Sequence, residues 1–369
     1  MDAALARLID QVQAARAAKG RLRVVGGATK DWLGRPAQGE PLDMAPLAGI
    51  SSYEPSELVV TVRAGTRLAD LETALAEQGQ VLAFEPPRCG AAGTVGGMVA
   101  AGLAGPARAT SGTVRDHVLG ATLLNGRGEV LSFGGQVMKN VAGYDLSRAL
   151  AGSMGALGAI CEVSLKVLPR PVATATLRFE CDQGEALRRL NAWGGEPLPL
   201  SGSAWWNGML VVRLSGAAAA VASATQQLGG ETVEPALATA FWDGLRDQRD
   251  EFFANAAQAL ERGAALSAEH RPALWRLGLP QTAAPLALPG DQLVEWGGAQ
   301  RWVCTDAGAE AVRAAAQAAG GHATLWRGGD RTGPVFHPLA GAQARIQRAL
   351  MDAFDPDRVF DRARLYPDF

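Results

Sequence analysis

The chain has 369 residues, 48% hydrophobic and 20% charged, with a formal net charge of −2 at pH 7. That length predicts two domains with a substantial core, and the balanced charge excludes an electrostatic case for nucleic-acid binding. Cys89, Cys161, Cys181 and Cys304 are far apart and form no C-x-x-C pair, which argues for a reducing compartment and against a disulfide framework or an iron–sulfur cluster held by this chain.

The first stretch, MDAALARLIDQVQAARAAKG, spaces its apolar residues at helical intervals and ends at Gly20. It predicts an amphipathic helix rather than a secretory signal. No run approaches the ~20 apolar residues of a membrane span, so the expected location is cytoplasmic, peripheral at the inner face of the cell membrane only through partners. Arg21–Val25 reads as a strand running into a first glycine-rich loop, VVGGATKDWLG. Leu58–Arg63 is a β-branched strand, followed by a helix over Leu68–Gln78 with Thr66 as its expected cap. Val81–Phe84 reads as a strand stopped by Pro86-Pro87, and CGAAGTVGGMVAAGLAG is the second glycine-rich loop. Val118–Leu124 and Glu129–Phe133 flank Asn125-Gly126-Arg127-Gly128, a hairpin signal. The third glycine-dense block, Gly135–Gly158, contains a short helix at Asp145–Ala151 and leads into a strand at Ala159–Leu168. Pro169-Arg170-Pro171 marks the expected domain boundary. Beyond it strands and helices alternate: Thr174–Glu180, Gly184–Ala192, Ser203–Trp206, Met209–Leu214, Ala217–Leu228, Ala273–Leu279, Arg301–Thr305, Ala309–Ala319 and His322–Arg327. Short strands with helices on one face predict an α+β layer, built from two similar β-α-β-β halves. Pro338–Phe369 reads as one helix and an irregular tail.

Glycine at this density weakens helices and strands, so it points to backbone brought close to a flat or phosphorylated ligand. The two common nucleotide motifs are missing. No loop has G-x-G-x-x-G between a strand and a helix, and no Gly-Lys pair exists for a P-loop. What remains is a cradle of separate loops. Gly26, Gly27, Ala28 and Thr29 can offer successive amides to a pyrophosphate, with Lys30 as counter-charge. Gly93, Thr94, Gly96 and Gly97 open an apolar helix whose first amides would meet a second phosphate or the ribitol.

The three loops, with AFEPPRCGAAGTVGGM, SGTVRDHVLG and GQVMKNVAGYDLSRALAGSMGALG, resemble the vanillyl-alcohol-oxidase-type (PCMH-type) FAD-binding fold. Within it they are most similar to the FAD-binding subunits of glycolate oxidase. The resemblance continues more loosely through LWRLGLP, VEWGGAQRWV, GGHATLWRGGDR and FDPDRVF. It implies an α+β protein with a PCMH-type FAD-binding domain over residues 1–172, an α+β cap over 173–337, and a C-terminal segment, 338–369, returning to the first domain. It places Gly26–Lys30 at the pyrophosphate and Gly93, Thr94, Gly96 and Gly97 along the ribitol and flavin edge. Ser111, Gly112, Thr113 and Arg115 would also line the cofactor, and Gly152, Ser153, Gly155, Gly158 and Ile160 would enclose the adenosine end. Asp145 and Arg148 read as a pair that fixes the third block. Covalent-flavin relatives often carry a histidine in the first loop where Ala28 and Thr29 stand, so FAD should be non-covalent. Direct hydroxy-acid oxidisers tend to carry a histidine cluster. Here His117, His270, His322 and His337 are scattered, which implies no metal.

A 2-hydroxy acid needs a cation for its carboxylate and a base for its hydroxyl. Arg276, Arg301 and Arg327 each neighbour a tryptophan, and of these Arg301, with His322 as base, forms the candidate catalytic pair. The implied function is the FAD-binding subunit of a heteromeric glycolate dehydrogenase, oxidising glycolate to glyoxylate. Its partners would be a larger FAD-linked subunit and an iron–sulfur subunit. A free-standing FAD oxidoreductase acting on another hydroxy acid or alcohol, and a non-catalytic scaffold, remain the alternatives.

Overall fold

The computed structural model describes residues 2–136, 144–265 and 271–369. His270 and the 137–143 part of the third glycine-dense block lie outside them. Helix α1 (Ala3–Ala17) is capped by the Asp2 carboxylate on the Ala4 amide at 2.7 Å and buries Leu8 and Val12. The left-handed turn after it falls on Lys19, at φ 52°, rather than on Gly20. Strands β1 (Leu22–Val25) and β2 (Glu40–Asp43) pair in parallel, with the first glycine loop between them.

The first half is organised by a five-stranded antiparallel sheet of β3 (Ile50–Glu54), β4 (Val59–Arg63), β5 (Val118–Leu124), β6 (Val130–Gly134) and β7 (Ala159–Lys166). Its spatial order is β3-β4-β7-β5-β6. The three central strands are buried along nearly their whole length, whereas β6 alternates exposed and half-buried residues. This is the pattern expected where both faces are covered in the middle of a sheet and one is open at its edge. Val60, Val62, Leu123, Val163 and Leu165 share one core with Leu68, Leu71 and Leu75 of helix α2 (Leu68–Glu77) and Met98 of helix α3 (Val95–Ala101). Thr66 does not cap α2. Its hydroxyl bridges the Gly49 amide and carbonyl, and Arg67 takes the cap position without a side-chain bond. The strand expected at Val81–Phe84 shrinks to Gln80–Val81, paired with Leu168–Pro169, because the chain turns at Leu82.

The second half is an eight-stranded antiparallel sheet. Its labelled strands are β8 (Ala173–Glu180), β9 (Leu200–Trp206), β10 (Met209–Gly216), β11 (Ala273–Gly278), β12 (Asp291–Glu295), β13 (Gln300–Thr305) and β14 (His322–Gly328). From the short edge strand Glu231–Thr232 the order runs β8-β10-β9-β12-β13-β11-β14. The halves are therefore mirror-ordered β-α-β-β-α-β units joined where β9 pairs with β12, one strand longer than expected. In the second unit the 279–290 loop stands where the first has helix α4 (Gln183–Gly194). Helices α4 and α5 (Ala218–Leu228) cover one face of the first unit. The expectation of helices on a single face does not hold. Two helices that the sequence reading did not include, α6 (Pro235–Arg246) and α7 (Glu251–Gly263), place Trp242, Leu245, Phe252 and Phe253 on the opposite, inner face. Helix α8 (Ala309–Ala318) closes the outer face of the second unit through Val312 and Ala316.

That inner face packs on the first half, where Ala204, Leu274, Trp302 and Trp326 share a core with Leu33 and Leu103. Arg331 ties the halves by donating to the Trp32 and Gly34 carbonyls, both at 2.7 Å. Helix α9 (Gly341–Phe354) then returns to the first core through Met351 and Phe354, and Phe360 bridges to Leu22. No helix among the described residues is long and apolar enough to cross a membrane.

Candidate functional site

The loop leaving β1 runs Gly26-Gly27-Ala28-Thr29-Lys30 along one wall of a cavity that opens to solvent. Ala28 adopts a left-handed φ of 53°, which curls the loop after its two glycines. Among the described residues no group accepts a hydrogen bond from the Gly27, Ala28, Thr29 or Lys30 amides. Successive unpaired amides in a curved loop make a concave anion site. The C-terminal tail braces this loop. Arg364 donates to the Leu33, Lys30 and Asp31 carbonyls, each at 3.3 Å. Burial holds both Lys30 and Arg364 below their ordinary pKa values, and a polyanion beside them would favour their charged forms.

Helix α3 forms the opposite wall, presenting Gly96, Gly97, Ala100 and Ala101. Its first amides do not point at a ligand, contrary to the sequence expectation. Val95 donates to the Thr66 carbonyl at 2.9 Å, Gly96 to the Ala64 carbonyl at 2.8 Å, and Gly97 to Thr94 Oγ1 at 3.2 Å. What the glycines supply is a wall without side chains. A Cβ on Gly96 would come 2.6 Å from the Ala64 Cβ, so Gly96 also seats the helix against the end of β4. At Gly97 the added atom would meet only Thr94 Oγ1, at 3.1 Å, with open space otherwise.

The third wall is Met154, Gly155, Gly158 and Ile160. Gly155 sits at φ +80°, a conformation that a side chain strains. The structure thus brings Gly26–Lys30, Thr94, Gly96, Gly97, Gly155, Gly158 and Ile160 around one space. Other expected residues stand outside its lining. The Gly93 carbonyl accepts from the Leu68 amide, and Gly152 donates to the Val99 carbonyl. The Ser153 hydroxyl is buried without a hydrogen-bond partner among the described residues. Ser111, Gly112, Thr113 and Arg115 belong to helical turns elsewhere, where Asp116 accepts from the Thr113 amide at 2.7 Å and His117 Nε2 meets the Ser111 carbonyl at 2.9 Å. Asp145 and Arg148 form an ion pair at 2.9 Å.

The two residues expected to be catalytic are not at this cavity. Strand alternation puts Arg301 on the outer face of the sheet. There it is fully buried and donates to the Gly298, Ala284 and Ala283 carbonyls at 3.2, 2.8 and 2.5 Å. Its role is to tie down the 279–290 loop. His322 begins the edge strand β14 and is exposed, its ring 6.2 Å from that of His337. Arg276 and Arg327 do face inward, but Arg327 stacks on Trp32. Trp32, Trp302 and Trp326 form an aromatic cluster, with Trp326 5.0 Å from each of the other two. The titratable residues lining the first cavity are Lys30, Asp31 and Arg364, and no described group of His, Cys, Asp and Glu is placed to hold a metal ion.

Sequence reading missed Val24, Leu33, Met44, Ala64, Met154 and Arg364 as wall residues. The apolar ones carry no local signal, because a wall needs only bulk at the right place. Arg364 lies more than 330 positions from its partners and is brought to them only by the returning tail.

The chain matches the family model described as "FAD binding domain" over residues 4–134. It is 44% identical over 361 residues to "Glycolate oxidase subunit GlcE" of Escherichia coli (strain K12), covering 98% of this chain and 97% of that protein. Shorter similarities join it to "Glycolate oxidase subunit GlcD" of Bacillus subtilis (strain 168), 33% identical over 35% of this chain and 27% of that one. A "D-lactate dehydrogenase" of Anaerostipes hadrus is 32% identical over 42% of this chain and 32% of that one. Among solved structures, alkyldihydroxyacetonephosphate synthase superposes with a TM-score of 0.61 at 14% identity, covering 95% of this chain and 73% of that one. The fold is therefore that of the PCMH-type flavoproteins, and FAD is the cofactor.

Proposed function

The chain belongs to the family of glycolate oxidase subunit GlcE, and on that premise we propose that it is the FAD-binding subunit of a heteromeric glycolate dehydrogenase. FAD, when bound, supplies the two-electron acceptor for oxidation of a CH–OH donor. The observation that carries the reading is the cavity: four amides without acceptors among the described residues, two cations beside them, and a wall stripped of side chains at Gly97. These residues would hold a pyrophosphate by backbone donation from Gly27–Lys30, with Lys30 and Arg364 as counter-charges. The side-chain-free face of α3 would lie along the ribitol and the ring system. On this reading Gly152 and Ser153 belong with Gly155 and Gly158 to the adenosine end, where the buried Ser153 hydroxyl, without a partner among the described residues, would be a donor. The binding is non-covalent. The partners are a larger GlcD-like flavin subunit and an iron–sulfur subunit that carries electrons onward, with any membrane attachment made through them.

A second reading is favoured by one observation. Among the described residues, Lys30, Asp31 and Arg364 are the titratable groups of the cavity wall, and none of them is a histidine able to take a hydroxyl proton. On this reading the chain holds flavin while its larger partner performs the oxidation. One experiment separates them: the visible spectrum of the chain purified alone, before and after anaerobic glycolate. A flavin band bleached by glycolate makes this chain a catalyst, and a persistent band assigns the chemistry to the partner. No band even after FAD addition refutes both.

A further inference from the structure

The inner face of the second-half sheet carries another, open cavity, which shares no lining residue with the first. Its walls include Arg108 from the first half and Arg276, Trp296, His322 and Thr324 from the second. Both guanidinium groups lie against the one Trp296 ring, Arg108 at 4.6 Å and Arg276 at 5.1 Å from its centroid. Arg276 gives Nε to Gln300 Oε1 at 2.6 Å, and its terminal nitrogens have no acceptor among the described residues. Arg108 donates no side-chain hydrogen bond to any described residue. Burial pulls both below the ordinary arginine range; on Arg276 the Glu295 carboxyl opposes this and the charge of Arg108 adds to it. A buried carboxyl on the same face, Glu295, accepts instead from Trp302 Nε1 and Gln300 Nε2.

The tryptophan is held in place at a cost. Trp296 has φ 54°, a conformation unfavourable for a bulky side chain and found where the surroundings over-determine it. Its Nε1 donates to the Gly105 carbonyl at 3.0 Å, and the following Gly297 amide donates to Ser203 Oγ at 2.8 Å. Neither cation has a hydrogen-bonded carboxylate, Glu295 and Asp116 acting on them only through longer-range attraction, and a bound anion relieves both their mutual repulsion and their desolvation. The charge balance selects the anion. Guanidinium forks match the two oxygens of a carboxylate, the indole offers an apolar floor, and the Thr324 hydroxyl and His322 ring are free to meet a polar substituent.

We propose that this cavity is a binding site for a small organic carboxylate, held by Arg108 and Arg276 over Trp296 and separate from the flavin cavity. Trp326 lines neither of the two and meets Trp32 of the first loop at 5.0 Å and the Arg276 guanidinium at 5.3 Å. The assignment does not depend on where glycolate is oxidised.

The test is isothermal titration of the full chain, purified with FAD, against acetate, glycolate and glyoxylate. Phosphate and chloride at matched ionic strength form the other arms. The expected result is saturable carboxylate binding with a Kd at least tenfold weaker in Arg108→Gln and Arg276→Gln, at unchanged flavin content. Arg108 is only half-buried and has no hydrogen-bonded partner, so its variant decides the matter should Arg276→Gln fail to fold. Unchanged affinity in Arg108→Gln, binding that never saturates, or phosphate or chloride binding as tightly as the carboxylates would overturn the proposal. Flavin bleaching in the same titration reports on the proposed oxidation, so the two readings can fail separately.

Discussion

Replacing Gly97 by alanine should move folding stability and cofactor affinity in opposite directions. Gly97 lies in the first turn of α3, where the new Cβ would meet only Thr94 Oγ1, at 3.1 Å. Glycine in a helix costs about 1 kcal/mol relative to alanine, so the cofactor-free protein should hold its stability or gain up to about that amount. The Thr94 contact returns part of the gain. With FAD present the methyl occupies space the cofactor needs. At a hundred times Kd, FAD stabilises the folded chain by about 2.7 kcal/mol, and a tenfold loss of affinity cuts that to about 1.4 kcal/mol. Denaturant unfolding with and without FAD, together with flavin absorbance per chain, measures both effects. Full flavin occupancy and an undiminished FAD shift would refute the placement of the cofactor along α3. Gly27 cannot serve for this test, because a Cβ there would fall 1.5 Å from the Ala92 carbonyl oxygen and disturb the fold directly. Gly155, at φ +80°, has the same drawback.

Burial raises the Glu295 carboxyl to about 7 from an ordinary 4.5, so the folded chain binds a proton there that the unfolded chain has lost. Stability should therefore fall as pH rises from 4.5 through 7, by at most about 3 kcal/mol, and Glu295→Gln should flatten the slope measured by denaturant unfolding at pH 5 and pH 8. An unchanged slope in the variant would count against a protonated Glu295. Arg301→Ala should cost about 3 kcal/mol by stranding three carbonyls, while the flavin spectrum and turnover per folded chain stay at wild-type levels; normal stability with lost turnover would restore the catalytic assignment. Arg364→Ala frees the first loop from its brace, and FAD affinity should fall about tenfold, a loss of about 1.4 kcal/mol. Stoichiometric flavin at wild-type affinity would show that the loop holds its shape alone.

Local chemistry made much of this molecule legible in advance. The β-branched run at Val59–Arg63, the Asn-Gly hairpin before β6 and the alternation after Pro171 each act through neighbours a few positions away, so their signals are written locally. The first glycine loop was read for the same reason, since two adjacent glycines after a strand can do little else than turn it. The amphipathic pattern of helices α6 and α7 is also local, but which sheet face their tryptophan and phenylalanines cover is set only once both halves are assembled.

The sequence by itself determined the fold class, the glycine-lined walls and the kind of ligand they accept, because backbone freedom and side-chain absence are properties of each residue. Only the tertiary structure decided what the polar groups do. It gave the amides of α3 to Ala64, Thr66 and Thr94 rather than to a phosphate, and left those of Gly27–Lys30 unclaimed. It turned Arg301 outward onto three carbonyls and Arg276 inward beside Arg108, although both are arginines next to a tryptophan on a strand. Hydrogen bonds and charges are satisfied by whichever partner the fold brings near, and those partners lie up to hundreds of residues away.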